Sequence, residues 1–458
     1  MGFISVSLTA RYLGAELFGT LSLALAFTGI FGIFSDLGLN TLTVREVARD
    51  KSLVSKYVGN VAVMRVIFAT VTFGIIALIA VLLGYPLQTI YVICIVALSV
   101  VFTSLVNMYN SIFQAFEKMQ YHAIGIILYS ALFLSGVAIA VKLGLDVLVF
   151  ASLYVLAGAI VLIYSWAVFQ SKFSSVHLEI DRAFWRSTIQ MALPFALTNI
   201  FVTVYYWIDS ILLSVMKGME VVGWYNAAYR LMSVLMIFPV VVNLAILPAM
   251  SRFYVEAKAS LLLTRDIVFR YMVLISVPMG IAVTFLADDI ISFIFGAGFT
   301  NSIIALEILV WSSVFIFIGS PIARFLESSN RQLTITKIAI ICVVVNVALN
   351  LILIPLFGLV AASVVTVATE AVSFLLLFYV SKVVTMKRLA HSVPAAGKIA
   401  VASALMAVTF LSFHSFNHVL VTLAAICIYI VACYATGLIG KADISLFTQF
   451  LRLGGDQK

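Results

Sequence analysis

Two arginines and one glutamate sit deep in stretches that otherwise carry no charge. Arg65 falls in the apolar run 57–83, Arg230 in 221–248 and Glu370 in 358–381. At a helical rise of 1.5 Å per residue, they lie about 12, 13 and 16 Å from the nearer end of their runs. A charge at the centre of a bilayer costs about 2.5–3.5 kcal/mol on insertion scales, so each needs a partner, a wet cavity or a substrate to justify it. Arginine in such a place suits an anion, because its planar fork grips phosphate or carboxylate through two hydrogen bonds. The long stem of Arg65 also allows it to snorkel to the interface. Glu370 is a candidate to carry a coupling proton, and the plain alternative is a Glu–Arg pair that joins two helices. Asp36 and Asp209 stand closer to the ends of their runs, at interfacial depth, and Asp36 joins Glu370 as a candidate for ion coupling.

Other chemistries lack their residues. The four cysteines, Cys94, Cys342, Cys427 and Cys433, lie in apolar runs without C-x-x-C spacing, as membrane-packing residues do. The five histidines form no metal-ligand pair, and no G-x-x-x-x-G-K-[ST] loop is present to hold a nucleotide, so no cofactor is expected. Of the 458 residues 64% are hydrophobic and 10% charged, against about 25% charged in soluble domains. An ordinary soluble enzyme is thereby excluded. The net charge of +8 is read as membrane orientation, not as affinity for nucleic acid.

The elements that position these residues are expected to be about 14 transmembrane helices, an all-α polytopic fold. Apolar segments fall at 1–10, 18–39, 57–83, 89–113, 121–141, 147–169, 187–213, 221–248, 267–287, 303–325, 333–355, 358–381, 395–413 and 417–439. The first is too short to cross a bilayer, which needs about 20 residues; a truncated first helix is expected, with the true start upstream. Placing residue 1 in the cytoplasm and alternating puts 22 of the 27 Lys and Arg on inner connections and the tail. Only Arg11, Lys142 and Lys217 then lie outside, which fixes the direction and places both termini in the cytoplasm.

An internal repeat supports two halves. Residues 14–19 read G-A-E-L-F-G and residues 218–223 read G-M-E-V-V-G, each opening a long apolar run. The expected division is an N-terminal lobe at 1–170, a C-terminal lobe at 171–384, two added helices at 385–440 and a cytoplasmic tail at 441–458. Repeated halves are a common transporter plan, with the substrate between them. Polar stripes at helical spacing occur at Thr103, Asn107, Asn110 and Gln114, at Asn199, Thr203, Tyr206 and Ser210, at Asn226, Arg230 and Ser233, and at Ser363, Thr366, Glu370 and Ser373. Each stripe either glues helices together or lines an aqueous path.

The stretch A-R-Y-L-G-A-E-L-F-G at 10–19 is followed by F-S-D-L-G-L at 34–39 and V-R-E-V-A-R at 44–49. Further on come F-Q-A-F-E-K-M-Q-Y at 113–121, I-D-S-I-L-L-S at 208–214, V-G-W-Y-N-A-A-Y-R-L at 222–231, L-P-A-M-S-R-F at 247–253 and F-G-L-V-A-A-S-V-V-T at 357–366. In order and spacing these resemble the polysaccharide-transport proteins, Wzx-type oligosaccharide flippases of the multidrug/oligosaccharidyl-lipid/polysaccharide (MOP) superfamily. The resemblance implies two six-helix lobes plus two helices, alternating access and a central cationic cavity. It implies a polyprenyl-diphosphate-linked oligosaccharide as substrate in the cytoplasmic membrane, with polymerase or glycosyltransferase machinery as possible neighbours. It assigns Arg11, with Arg65 and Arg230 from their depth, to the cavity, and Arg45 and Arg49 to the inner mouth, where positive-inside orientation explains them equally.

Two other functions stay open at this level. A small-molecule exporter of the multidrug type needs an acid in the N-terminal lobe, and Asp36 is the one available. A membrane enzyme acting on the same lipid needs a catalytic outer loop, and only 285–302 with Asp288 and Asp289 offers one.

Overall fold

Within a bilayer the backbone must satisfy its own hydrogen bonds, so a long apolar chain resolves locally into helix. The computed structural model follows this rule across its described residues, 2–173, 180–381, 393–413 and 416–438. Twelve helical segments among them are long and apolar enough to cross a membrane, and the chain is an all-α multi-pass membrane protein. The expected tail at 441–458 and the boundary near 384 lie outside the described residues.

The first half comprises α1 (Gly2–Asp36), α2 (Leu39–Arg49), α3 (Val54–Leu82), α4 (Leu87–Ala115), α5 (Met119–Lys142) and α6 (Val147–Lys172). The rest comprises α7 (Arg182–Lys217), α8 (Met219–Leu235), α9 (Ile237–Glu256), α10 (Lys258–Phe285), α11 (Ala287–Ile294), α12 (Ser302–Ser328), α13 (Gln332–Phe357), α14 (Leu359–Ser381), α15 (Val393–Ser412) and α16 (His418–Ala435). Side chains such as Leu82, Leu244 and Ile163 are largely exposed, as lipid-facing residues must be.

Three details differ from the reading of the sequence. Helix continues through Arg11 to Leu13 before the chain breaks at Gly14, so Arg11 is helical and not in a connection. The polar stretch after residue 39 forms α2, which buries Leu39, Leu42, Thr43 and Val47 and leaves Arg49 exposed. It is an amphipathic helix, too charged for an apolar-run criterion to find. The run at 221–248 is divided between α8 and α9 at Met236.

Two compact units are present. One joins Met1–Ala228 with Ile291–Ala305 and Ala339–Val365. Its core includes Leu42 and Val47 of α2, Tyr57, Val61 and Met64 of α3, Tyr109 and Phe113 of α4, and Phe169 of α6. The other joins Tyr229–Ile290, Leu306–Ile338 and Thr366–Lys458. There α15 and α16 pack on α10 through Met406, Phe410, Ala425 and Leu274, and the Tyr429 hydroxyl donates to the Leu274 carbonyl at 2.9 Å.

Candidate functional site

The chain turns sharply after α1, where Leu37 and Gly38 both take positive φ. Asp36 stabilises this turn: its carboxylate accepts the Gly38 N–H at 3.2 Å and the Asn40 N–H at 3.1 Å, restarting the helix as α2. The same carboxylate receives Arg65 Nη2 at 2.6 Å. That nitrogen also donates to Asn40 Oδ1 at 2.7 Å, while Nη1 donates to the Ser104 carbonyl at 2.6 Å and to Ser104 Oγ at 3.2 Å. Ser111 Oγ adds a bond to Asn40 Oδ1 at 2.9 Å. Arg65 is thus 1% exposed, and it does not snorkel. One guanidinium ties α1, α2, α3 and α4 together, and an anion reaching it has to compete with Asp36.

A second buried cluster centres on Asp209 of α7, which is 3% exposed. Tyr225 of α8 donates its hydroxyl to Oδ2 at 2.7 Å, and Asn350 of α13 donates Nδ2 to Oδ1 at 2.7 Å. Asn350 Nδ2 also reaches Asn346 Oδ1 at 3.0 Å, whereas Asn350 Oδ1 has no hydrogen-bond partner among the described residues. Alongside, Asn226 Nδ2 donates to Ser210 Oγ at 3.0 Å, joining two of the polar stripes. A carboxylate held by these neutral groups beside an unused carboxamide oxygen offers oxygen ligands to a proton or a small hard cation.

Where the two repeat copies lie, the backbone repeats as well. Gly14 has φ 73° and ψ 175°, and Gly218 has φ 91° and ψ 174°. Positive φ makes glycine the fitting residue at both breaks. Beyond them α1 and α8 touch reciprocally. A Cβ on Gly19 would stand 1.8 Å from the Met219 carbonyl oxygen, and one on Gly223 would stand 1.9 Å from that of Ala15. Neighbouring bonds close the same end: Ser7 Oγ to the Ile294 carbonyl at 2.6 Å, Trp224 Nε1 to the Gly298 carbonyl at 3.1 Å, and the Tyr85 hydroxyl with Ser214 Oγ at 2.7 Å. Phe18 meets Phe299 edge-on at 5.9 Å.

The remaining candidates are dispersed. Arg11 is exposed and donates to the carbonyls of Ser292 and Phe293 at the C-terminal end of α11, where a cation complements the helix dipole. Arg45 and Arg49 both pair with Glu46, at 2.7 and 3.5 Å. Lys56, a few residues beyond Arg49, brings its Nζ to Asp181 at 3.1 Å; Asp181 caps α7, and the Phe184 N–H, then Lys56, hold its carboxyl below the ordinary 3.8. Arg230 and Glu370 are half-buried in α8 and α14, in the second unit. Of the expected residues, the structure brings Asp36 and Arg65 together and leaves Arg11, Arg45 and Arg49 apart from them.

Sequence reasoning missed Asn346 and Asn350, although N-x-x-x-N inside an apolar run was a signal that both share a helix face. On α4 the selected stripe leaves Asn107 and Gln114 exposed, while the side chains that join the Arg65 network, Ser104 and Ser111, are buried on another face.

The family model described as "Polysaccharide biosynthesis protein" matches residues 1–254, more than half the chain, and the MatE model matches 194–352. The probable low-salt glycan biosynthesis flippase Agl15 of Haloferax volcanii is 24% identical over 84% of this chain and 81% of its own length. In fold, the chain is similar to the lipid II flippase MurJ in an inward closed conformation, with TM-score 0.72 and 17% identity over 98% of this chain and 96% of that one. It is also similar to a multidrug resistance MATE family transporter in an inward-facing conformation, with TM-score 0.68 and 16% identity over 82% and 93% of the two chains. Twelve membrane-length helices among the described residues and a match across both sequence halves lead to one assignment: the chain belongs to the polysaccharide biosynthesis protein family and is a transporter of the MOP superfamily.

Proposed function

We propose that this transporter moves a polyprenyl-diphosphate-linked oligosaccharide from the inner to the outer leaflet of the cytoplasmic membrane by alternating access. The observation that carries the substrate class is the family match over residues 1–254, reinforced by the likeness to a glycan biosynthesis flippase over 84% of the chain. Physically, a diphosphate needs a wet cationic path while its lipid tail stays in hydrocarbon, and intramembrane arginines supply such a path. In this reading both termini are cytoplasmic, and the lobes 1–170 and 171–384 are followed by two additional helices at 385–440. The shared backbone of Gly14 and Gly218 supports the halves, and the distribution of Lys and Arg supports the orientation.

Among the arginines, Arg230 is the first choice to hold the diphosphate. Arg65 serves as an exchangeable ion pair whose release from Asp36 accompanies substrate entry. Arg45 and Arg49 recruit the headgroup at the inner mouth, and Arg11 belongs to the opposite end of the bundle. Ion coupling is assigned to Asp209 or Glu370, with Asp36, the carboxylate that pairs with Arg65, as a further candidate. Transport by the Glu370→Gln variant that still follows an imposed ion gradient removes Glu370, and the same result with Asp209→Asn removes Asp209. Polymerase or glycosyltransferase machinery then takes the flipped unit.

In a strain lacking the chain, complete lipid-linked units should accumulate on the cytoplasmic side and surface glycan should be lost. Units that reach the outer leaflet in that strain overturn the proposal. A multidrug-type exporter is the second reading, favoured by the MatE match over residues 194–352, which contain Asp209, Asn346 and Asn350. It requires drug sensitivity on deletion with the surface glycan intact.

A further inference from the structure

Three helix junctions border a shallow cavity of about 450 Å³ in the first unit. Its size falls within the ~300–1,000 Å³ of small-ligand sites. Lys217, at the end of α7, and Trp224, on α8, line it beside Asn301 and Phe357. The two side chains best suited to recognition are held in place. Trp224 donates Nε1–H to the Gly298 carbonyl at 3.1 Å, which fixes the plane of its indole. Lys217 donates to the Pro355 carbonyl at 2.8 Å, and its stem crosses the α13–α14 turn at Gly358, where an added Cβ would lie 3.7 Å from three of its carbons. A lysine ammonium has three donors, so two remain after the Pro355 bond.

Resting on the reading as a glycan flippase, we infer that this groove binds an acidic sugar of the transported oligosaccharide at the outer end of the path. The chemistry is divided among three groups. The apolar C–H face of a pyranose ring stacks on the indole of Trp224. The Asn301 carboxamide, which both donates and accepts, bonds to ring hydroxyls. The Lys217 ammonium pairs with the carboxylate through a charge-assisted hydrogen bond. Free phosphate or a lipid headgroup would use Lys217 alone and have no need of the indole. Lys217 is one of three basic residues assigned to the outer side, so its charge is not accounted for by orientation.

The test uses full-length protein in nanodiscs with methyl glucuronide and methyl glucoside as probes, followed by saturation-transfer NMR and titration. Wild type should bind the glucuronide at millimolar concentration and at least tenfold more tightly than the glucoside. Lys217→Met should erase that preference while retaining weak binding of both sugars, and Trp224→Ala should lose both. Asn301→Ala, at an exposed position, should weaken both probes while keeping the preference, which guards against misfolding of the tryptophan variant. Equal competition by glycerol phosphate in wild type and Trp224→Ala assigns the groove to a phosphate headgroup and overturns the inference. No glucuronide binding, together with normal glycan export by Lys217→Met and Trp224→Ala, overturns the site and leaves the flippase reading intact. Sugar binding in a protein whose deletion leaves lipid-linked units correctly placed sustains the groove and overturns the flippase reading.

Discussion

Substituting Gly223 by alanine tests the reciprocal contact of α1 and α8. The new Cβ would lie 1.9 Å from the Ala15 carbonyl oxygen and 2.8 Å from its carbonyl carbon. Both obstacles are backbone atoms, so no rotamer change relieves them. A tolerable separation of at least 3.0 Å requires the helices to part by about 1.1 Å, and an ordinary contact at 3.4 Å requires about 1.5 Å. Overpacking of this kind costs about 1–3 kcal/mol. The cost falls only on the conformation in which these helices touch, so it shifts an equilibrium with an open state by about 5- to 150-fold. The assay is maleimide labelling of Val222→Cys, a fully buried position, in a background with the four native cysteines replaced. Gly223→Ala should raise the labelling rate by a similar factor and slow transport. Gly19→Ala, 1.8 Å from the Met219 oxygen, should do the same, and the double variant should add little because both act at one junction. Unchanged labelling and transport in both single variants refutes the contact and its part in the transport cycle.

Asp36→Asn leaves the Arg65 guanidinium buried without its counter-ion, a change that costs about 3–5 kcal/mol; thermal unfolding in detergent should show a large loss, less severe when Arg65→Met is added. Arg230→Glu should abolish glycan export with normal membrane expression, and wild-type export by that variant removes Arg230 from the substrate path. Asp181→Ala should lower thermal stability by uncapping α7 and freeing Lys56. Because the folded carboxyl is held below 3.8, its contribution is complete above that value and disappears as pH falls through the folded value. The difference between variant and wild type should therefore be constant from about pH 5 to 8 and vanish in strong acid, as read from melting curves.

Much of the fold was legible because hydrocarbon imposes one rule on every segment: apolar, about 20 residues, helical. The runs at 121–141 and 147–169 became α5 and α6 almost residue for residue. Amphipathic α2 escaped the same rule, since Arg45, Glu46 and Arg49 lower its hydropathy while Leu42 and Val47 hold it to the core. At the site, depth along a run marked Arg65 but not its partner. Asp36 is near Arg65 only because Leu37 and Gly38 turn the chain there, and a positive φ at leucine has no sequence signature. Asp209 was underrated for a related reason. Its position near the end of a run suggested solvent, whereas Tyr225 and Asn350, brought in from two other helices, bury it.

Transport itself is measured most directly with purified protein in sealed vesicles carrying a lipid-linked oligosaccharide whose terminal sugar is open to an added enzyme. If the chain is a flippase, sugar initially protected in the inner leaflet becomes accessible over time, and Arg230→Glu vesicles retain the protected pool. Equal protection in vesicles with and without wild-type protein, under every imposed proton or sodium gradient, contradicts the proposed function.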